Sequence, residues 1–191
     1  TAFVEDAGNF LEIAVSLIRS LSPETASVME FKSQRDIDIA KRMLAFPALG
    51  MQVDGKWNLV LGNEMHMTND SALFQTSPAD GRLPLYEGKM IHQFESTRAA
   101  PRYWVDAVKG RVALLGRTAD TGQTMPYQRY RLAYRAIARN TDSRTLIASM
   151  LPKGSFYGNS LSAAIAPMDA LVNLYLLAVL NSMVFDYSLR Q

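Results

Sequence analysis

The segment from residue 127 to residue 137 alternates apolar and arginine side chains, and no other feature constrains the fold as strongly. Successive residues of an extended strand point to opposite faces, so an alternation with a period of two predicts a strand. One face of this strand would carry Tyr130, Leu132 and Tyr134. The other would carry three cations, Arg129, Arg131 and Arg135.

Shorter apolar and aromatic runs, separated by glycine and proline, predict further strands. In the middle of the chain they cover residues 57–61, 83–94, 102–107 and 145–151. Near the N-terminus, two apolar runs at 10–18 and 27–31 flank a Ser-Pro-Glu-Thr turn and predict two more strands.

Two segments have the apolar spacing of helices instead. The first, at about residues 34–45, follows Ser33 as an oxygen-bearing N-cap and precedes Pro47. The second follows Pro167. Strands in the centre and helices at the C-terminal end predict an α+β fold, with a mixed, curved β-sheet core and C-terminal helices.

This order of elements divides the chain into three parts of one compact domain. Residues 1–50 hold the N-terminal strands and helix, residues 51–166 the sheet region, and residues 167–191 the C-terminal helix. The longest apolar stretch, residues 171–185, contains two asparagines and is shorter than the about 20 residues that span a bilayer. No membrane association is therefore expected.

Charge is divided unevenly along the chain. The basic segment, residues 82–153, holds 13 Lys and Arg and 5 Asp and Glu, a net charge of +8. The rest holds 7 Lys and Arg and 13 Asp and Glu, a net charge of −6. Such a cationic segment is typical of proteins that bind phosphates, and charge alone is equally typical of a face that keeps a domain soluble.

Two polar motifs lie inside the basic segment. The first, residues 85–94, contains Gly88, which gives the backbone room for a close approach, and then Lys89, which can reach a phosphate. The second, residues 139–145, concentrates hydrogen-bond donors in a turn between two strands. A solvated strand end and a self-satisfied turn are the simpler alternatives.

Composition excludes several classes of site. The chain has no cysteine, so disulfides, thiolate metal sites and cysteine nucleophiles are excluded, and a reducing cytoplasm is the expected location. Its two histidines cannot alone form a zinc site. No Walker loop, dinucleotide-binding glycine motif or Gly-x-Ser-x-Gly elbow is present.

Two other functions stay open at this level. Glu87 and Lys89 fit half of a magnesium-dependent nuclease site, for which Asp70 or Asp80 would supply the second carboxylate. Alternatively, the chain is an interaction module that docks a partner through its C-terminal helix.

Segments spread over most of the chain resemble one protein family. They run in order from about residue 31 to the end and comprise Trp57-Asn58-Leu59, 63–71, Leu73-Phe74, 83–94, Tyr103-Trp104, 135–139 with Arg144-Thr145, and 174–191. In this order they resemble the C-terminal region of large adenine-specific DNA methyltransferases, including combined type II restriction-modification enzymes and phage-defence methylases. The family's Leu-Tyr-Glu-Gly-Lys segment matches residues 85–89, and its Leu-Asn-Ser helix matches residues 180–182.

The resemblance implies a target recognition domain, which reads duplex DNA while a catalytic domain of the same polypeptide uses S-adenosylmethionine. The glycine-rich turn for that cofactor and the Asn-Pro-Pro-aromatic loop beside a flipped adenine are not found in this sequence. Catalysis, a cofactor and a metal are therefore not expected in this fragment. Its first residues would be the junction to the catalytic domain.

The candidate DNA contacts follow from the resemblance together with the charge pattern. Phosphate neutralisation is expected from Lys89, Arg98, Arg102, Arg129, Arg131 and Lys153. Base readout is expected from His92, Gln93, Arg139, Asn140 and Arg144. Arg135 is a further candidate DNA contact.

Overall fold

The computed structural model describes residue 8 and residues 10–138 and 142–189. This part of the chain contains five α-helices and two four-stranded sheets, which confirms the α+β class. It divides into two compact units, one formed by residues 1–51 with 187–191 and the other by residues 52–186.

The smaller unit contains the helices α1 (Val15–Leu21) and α2 (Gln34–Met43). Ser33 is the N-cap of α2, and its backbone N–H donates to Oδ2 of Asp36 at 2.9 Å. A side chain of the first turn thus satisfies a backbone donor at the start of the helix. The helix predicted at 34–45 is confirmed, because its start signal is local.

The two strands predicted near the N-terminus are wrong. Residues 15–21 form α1, in which Leu17, Ile18 and Leu21 recur at helical spacing, and residues 27–31 belong to no regular element. The apolar run is too short for its sequence period to separate a helix from a strand.

The first sheet of the larger unit is antiparallel. Its strands are β1 (Leu61–Gly62), β5 (Arg131–Arg135), β6 (Ala148–Leu151) and β8 (Leu161–Ala164). They lie in the order β1–β8–β5–β6, so β5 is a central strand paired on both sides.

The second sheet is mixed. Its strands are β2 (Phe74–Gln75), β3 (Arg82–Tyr86), β4 (Tyr103–Asp106) and β7 (Phe156–Tyr157). The order is β2–β4–β3–β7, with β3 and β7 parallel and the other pairs antiparallel. Strands predicted at 83–94, 102–107, 127–137 and 145–151 are thus present with narrower bounds, whereas of residues 57–61 only Leu61 enters a strand.

The second sheet is buried on both faces where β3 pairs with β7. Leu85 pairs with Phe156, and both belong to one apolar cluster. Tyr86 pairs with Tyr157, and both belong to another, which includes Ala133 of the first sheet. The neighbouring residues Leu85 and Tyr86 of β3 therefore pack into two different apolar clusters. The main chain leaves β3 after Tyr86, between these two clusters.

Helices complete the larger unit. Helix α3 (Ala107–Leu115) was not predicted; it is capped by Asp106, whose carboxylate accepts the Val108 and Lys109 N–H groups at 3.0 Å. Helix α4 (Ala170–Leu180) contacts β5 and β6, and α5 (Met183–Leu189) follows it, with its first four residues in the larger unit and the rest in the smaller one. No single helix in the described part of the chain is long and apolar enough to cross a membrane.

Candidate nucleic-acid interface

A cleft of about 370 Å³ opens where the chain leaves β3. It is lined by Glu87, Gly88, Lys89, Arg135, Ile137, Asp142 and Ser160, and it is called the Gly88 cleft. The lining joins the first polar motif of the basic segment with Asp142 from the second, although more than 40 residues separate them. The fold therefore brings both motifs to one place.

Gly88 forms the floor of the cleft because the backbone comes close to its neighbour there. Its N–H donates to Oγ of Ser160 at 2.9 Å. A Cβ at this position would lie 3.1 Å from the carbonyl oxygen of Ser160 and 3.7 Å from Cγ of Arg135. The expected close approach is confirmed, and the group that comes close is the main chain of residue 160.

Lys89 and Glu87 stand next to each other at the mouth of the cleft. Nζ of Lys89 lies 3.3 Å from Oε2 of Glu87, close enough for an ion pair, but the two atoms lack hydrogen-bond geometry. The Lys89 side chain is 53% exposed, whereas that of Glu87 is largely buried. The half-exposed Lys89 ammonium can therefore reach a phosphate at the mouth of the cleft, while the buried Glu87 carboxylate holds its side chain there.

Arg135 supplies a second cation from the end of β5. One terminal nitrogen, Nη2, donates to the Ile91 carbonyl at 2.6 Å, whereas Nε has no hydrogen-bond partner among the described groups. Burial lowers the pKa of the guanidinium, Asp142 opposes this shift and Arg98 adds to it. A partly buried cation with an unused donor favours a bound anion.

Arg98 extends this positive charge along the loop that follows the cleft, and His92 lies near it. Burial lowers the pKa of His92, and the charges of Arg98 and Arg135 lower it further, against a smaller opposite effect of Glu95. Arg98 also lies 3.6 Å from the Glu95 carboxylate and is about half exposed. Of the predicted contacts, the structure therefore gathers Lys89, His92, Arg98 and Arg135.

Arg131 is not an exposed phosphate contact, and that prediction is wrong. Its guanidinium is 3% exposed and donates to the carboxylate of Glu64 and to the carbonyl of Ser155. It also lies 5.1 Å from the ring centroid of Tyr157. On the basic side of the predicted alternation, Arg131 therefore faces a core, whereas Arg129 and Arg135 are only partly buried.

Other predicted contacts lie away from the Gly88 cleft. Arg102 stacks on the ring of Tyr103 at 4.4 Å, and Arg144 lies 3.8 Å from the Asp186 carboxylate. Gln93 donates to the Asn181 carbonyl at 3.3 Å, so it anchors the loop to the end of α4. Arg139 and Asn140 fall outside the described residues.

The last two candidates line a larger cavity. Arg129 and Lys153 lie at the α4 cavity, a space of about 670 Å³ between the first sheet and α4. Exposed Tyr130 and buried Asn173 are also in its lining. The predicted contacts thus do not share one surface, and of the two cavities only the Gly88 cleft combines residues of both polar motifs.

Sequence reasoning missed Glu64, Ser160 and Phe94. Glu64 and Ser160 become visible only through contacts made across 67 and 72 residues, respectively. Phe94 lies inside the first polar motif, but its backbone has a positive φ of 63°, which no sequence pattern around it signals.

Comparison with known proteins finds no family model that matches the chain and no significant match among curated proteins.

Proposed function

We propose that the chain is the DNA-binding target recognition module of an adenine-specific DNA methyltransferase of the restriction-modification or phage-defence type. In this role it binds duplex DNA and does no chemistry itself. The methyl transfer, with S-adenosylmethionine, belongs to a catalytic domain of the same polypeptide. The cell compartment proposed for this function is the cytoplasm.

The observation that carries the proposal is the convergence of charge and polar motifs at the Gly88 cleft. Lys89 and Arg98 are exposed enough to neutralise phosphates, and Nε of Arg135 has no hydrogen-bond partner among the described groups. Ile137, 74% exposed, adds an apolar side chain to the same lining, which suits contact with a base edge. Phosphates and base edges occur together in nucleotides, and a nucleic acid presents both repeatedly along its length.

The test is a fluorescence anisotropy titration of the whole chain with mixed-sequence duplexes at two salt concentrations. Lys89→Glu should weaken binding to all duplexes alike and lower the salt slope by about one, because one phosphate contact is lost. Lys109→Glu is the matched control, since Lys109 carries the same charge in the same basic segment but lies exposed on α3. Equal effects of the two substitutions would show that bulk charge, and not the cleft, attracts DNA.

The nuclease alternative receives less support from the geometry. Neither Asp70 nor Asp80 is among the described residues that line the Gly88 cleft, and Asp70 instead accepts the His66 N–H at 2.7 Å. In the described part of the chain, no group of three or more His, Cys, Asp or Glu side chains is arranged to hold a metal. Plasmid cleavage with magnesium that Glu87→Ala abolishes would nevertheless replace the recognition proposal.

A docking role for the C-terminal helices is compatible with the same proposal. Leu171, Leu174 and Tyr175 of α4 are each more than half exposed, and so is Met183 of α5. In the proposed function these side chains would contact the catalytic domain of the same polypeptide.

A further inference from the structure

We propose that Phe94 is an aromatic wedge that stacks on a DNA base next to the Gly88 cleft. This inference rests on the proposed DNA-binding function and deepens it, because it names the part of the DNA that the site contacts: the flat face of a base exposed at an opened base step.

The backbone of Phe94 is strained. Its φ of 63° lies in the left-handed region, where a bulky side chain is an outlier and where glycine or asparagine is normally found. The ring does not compensate for this strain by packing, because Phe94 is 62% exposed. Neither the turn nor the core therefore explains a phenylalanine at this position, and strain of this kind is concentrated at functional sites.

The strained turn is held in place from several sides. His92 N–H donates to the Glu95 carbonyl at 2.7 Å, and Glu95 N–H donates back at 3.0 Å. Phe94 N–H donates to the Ala148 carbonyl of β6 at 3.1 Å, and Gln93 is tied to the end of α4 through Asn181. The aromatic ring is thus presented on a rigid support, so ordering it against a ligand costs little entropy.

The charges near the turn at residues 92–95 indicate which class of partner fits Phe94. His92 and Arg98 follow the cleft in sequence, and Arg98 and Arg135 both act on the pKa of His92. Glu95, the anion next to Phe94, is paired with Arg98. An exposed ring on a turn that is followed by Arg98, and whose His92 lies within the electrostatic reach of Arg135, fits a polymer that carries anionic phosphates around apolar base faces. Apolar wedges of this kind unstack a base step in several DNA-binding proteins.

Phe94 should contribute to DNA affinity through stacking and not through charge. Phe94→Ala should weaken duplex binding roughly tenfold at low and high salt alike, with an unchanged salt slope, because no phosphate contact is lost. Phe94→Trp should bind like the wild type. Phe46→Ala, at a similarly exposed phenylalanine of the smaller unit, is the matched control and should change nothing.

Two further readouts separate a wedge from a structural role. A mixed-sequence duplex with 2-aminopurine in place of adenine should brighten on binding wild type, because a wedged base is unstacked, and should stay dim with Phe94→Ala. Phe94→Gly should unfold at a higher urea concentration than Phe94→Ala while binding DNA as weakly, since glycine relieves the positive φ.

The outcomes distinguish the two proposals. Wild-type protein that binds no duplex would overturn both the DNA-binding function and the wedge. Wild-type binding that depends on Lys89, with Phe94→Ala equal to the wild type in affinity and in 2-aminopurine signal, would overturn the wedge alone.

Discussion

The Arg131 guanidinium and the Glu64 carboxylate form an ion pair that is almost completely buried. Each group has further partners: Arg131 donates to the Ser155 carbonyl, and Glu64 accepts the Tyr157 N–H at 3.2 Å. The pair therefore connects β5 to Ser155, just before β7, and to Glu64, in the segment between β1 and β2. Removing one member leaves the other charged and buried, which is far more costly than losing an exposed pair.

Arg131→Ala should accordingly lower the free energy of unfolding by about 3–5 kcal/mol, measured by urea denaturation. The comparison variant is Arg98→Ala, which loses an exposed pair with Glu95 and should cost about 1 kcal/mol or less. A loss below about 1 kcal/mol for Arg131→Ala would mean that the guanidinium reaches solvent and is available to DNA after all.

His92 makes stability depend on pH. Burial, Arg98 and Arg135 hold its pKa below the ordinary value of 6.5, so the folded protein binds this proton less readily than the unfolded chain does. Stability should therefore be highest above the unfolded pKa and fall as the pH drops from about 7.5 through 6.5 towards the lowered folded value. In His92→Gln, this part of the decline in the free energy of unfolding should be absent when urea denaturation is measured at several pH values. A pH profile identical to that of the wild type would contradict the assignment.

Helix α3 owes its position to the absence of a side chain at Gly110. A Cβ there would lie 2.7 Å from Cε2 of Phe156, a buried residue of β7. The helix can pack directly on the ring only because this residue is glycine, although glycine costs about 1 kcal/mol in a helix interior.

Gly110→Ala should therefore destabilise the protein by about 1–3 kcal/mol, despite the better helix propensity of alanine. The double variant Gly110→Ala/Phe156→Leu should lose less free energy of unfolding than the sum of the losses of the two single variants, because the smaller side chain leaves room for the Cβ. Val112→Ala, on the exposed side of the same helix, serves as the control. A stabilising Gly110→Ala would show that α3 does not rest on Phe156.

Elements with local signals could be predicted from the sequence, and elements decided by distant contacts could not. Helix α2 carries its own cap at Ser33 and Asp36, and β4 is a short run of aromatic and branched residues. Helix α3 has a cap at Asp106, a signal that was present but that the strand prediction over 102–107 obscured. The solvent-facing side assigned to β5 failed at Arg131, because its guanidinium is buried against Glu64, a residue 67 positions away in the chain.

The larger unit contains the whole basic segment, and the Gly88 cleft lies inside it. The larger unit as a whole holds 14 Lys and Arg and 11 Asp and Glu, a net charge of +3, so the charge of +8 in residues 82–153 is partly offset by acidic residues of the same unit. The division into two sheets was not predictable, since it depends on the parallel pairing of β3 with β7, about 70 residues apart. The grouping of Lys89 with Arg135 follows from that pairing and from the contact of Gly88 with Ser160.

The location of the DNA-binding surface can be measured over the entire chain by hydrogen-deuterium exchange with and without a mixed-sequence duplex. We expect slower exchange at residues 87–98 and 135–138, which form the Gly88 cleft and the loop that carries Phe94. Helix α3, which belongs to the same basic segment, should be unaffected and serves as the internal reference. Protection of α3 or of the α4 cavity, with unchanged exchange at residues 87–98, would contradict the recognition role of the cleft.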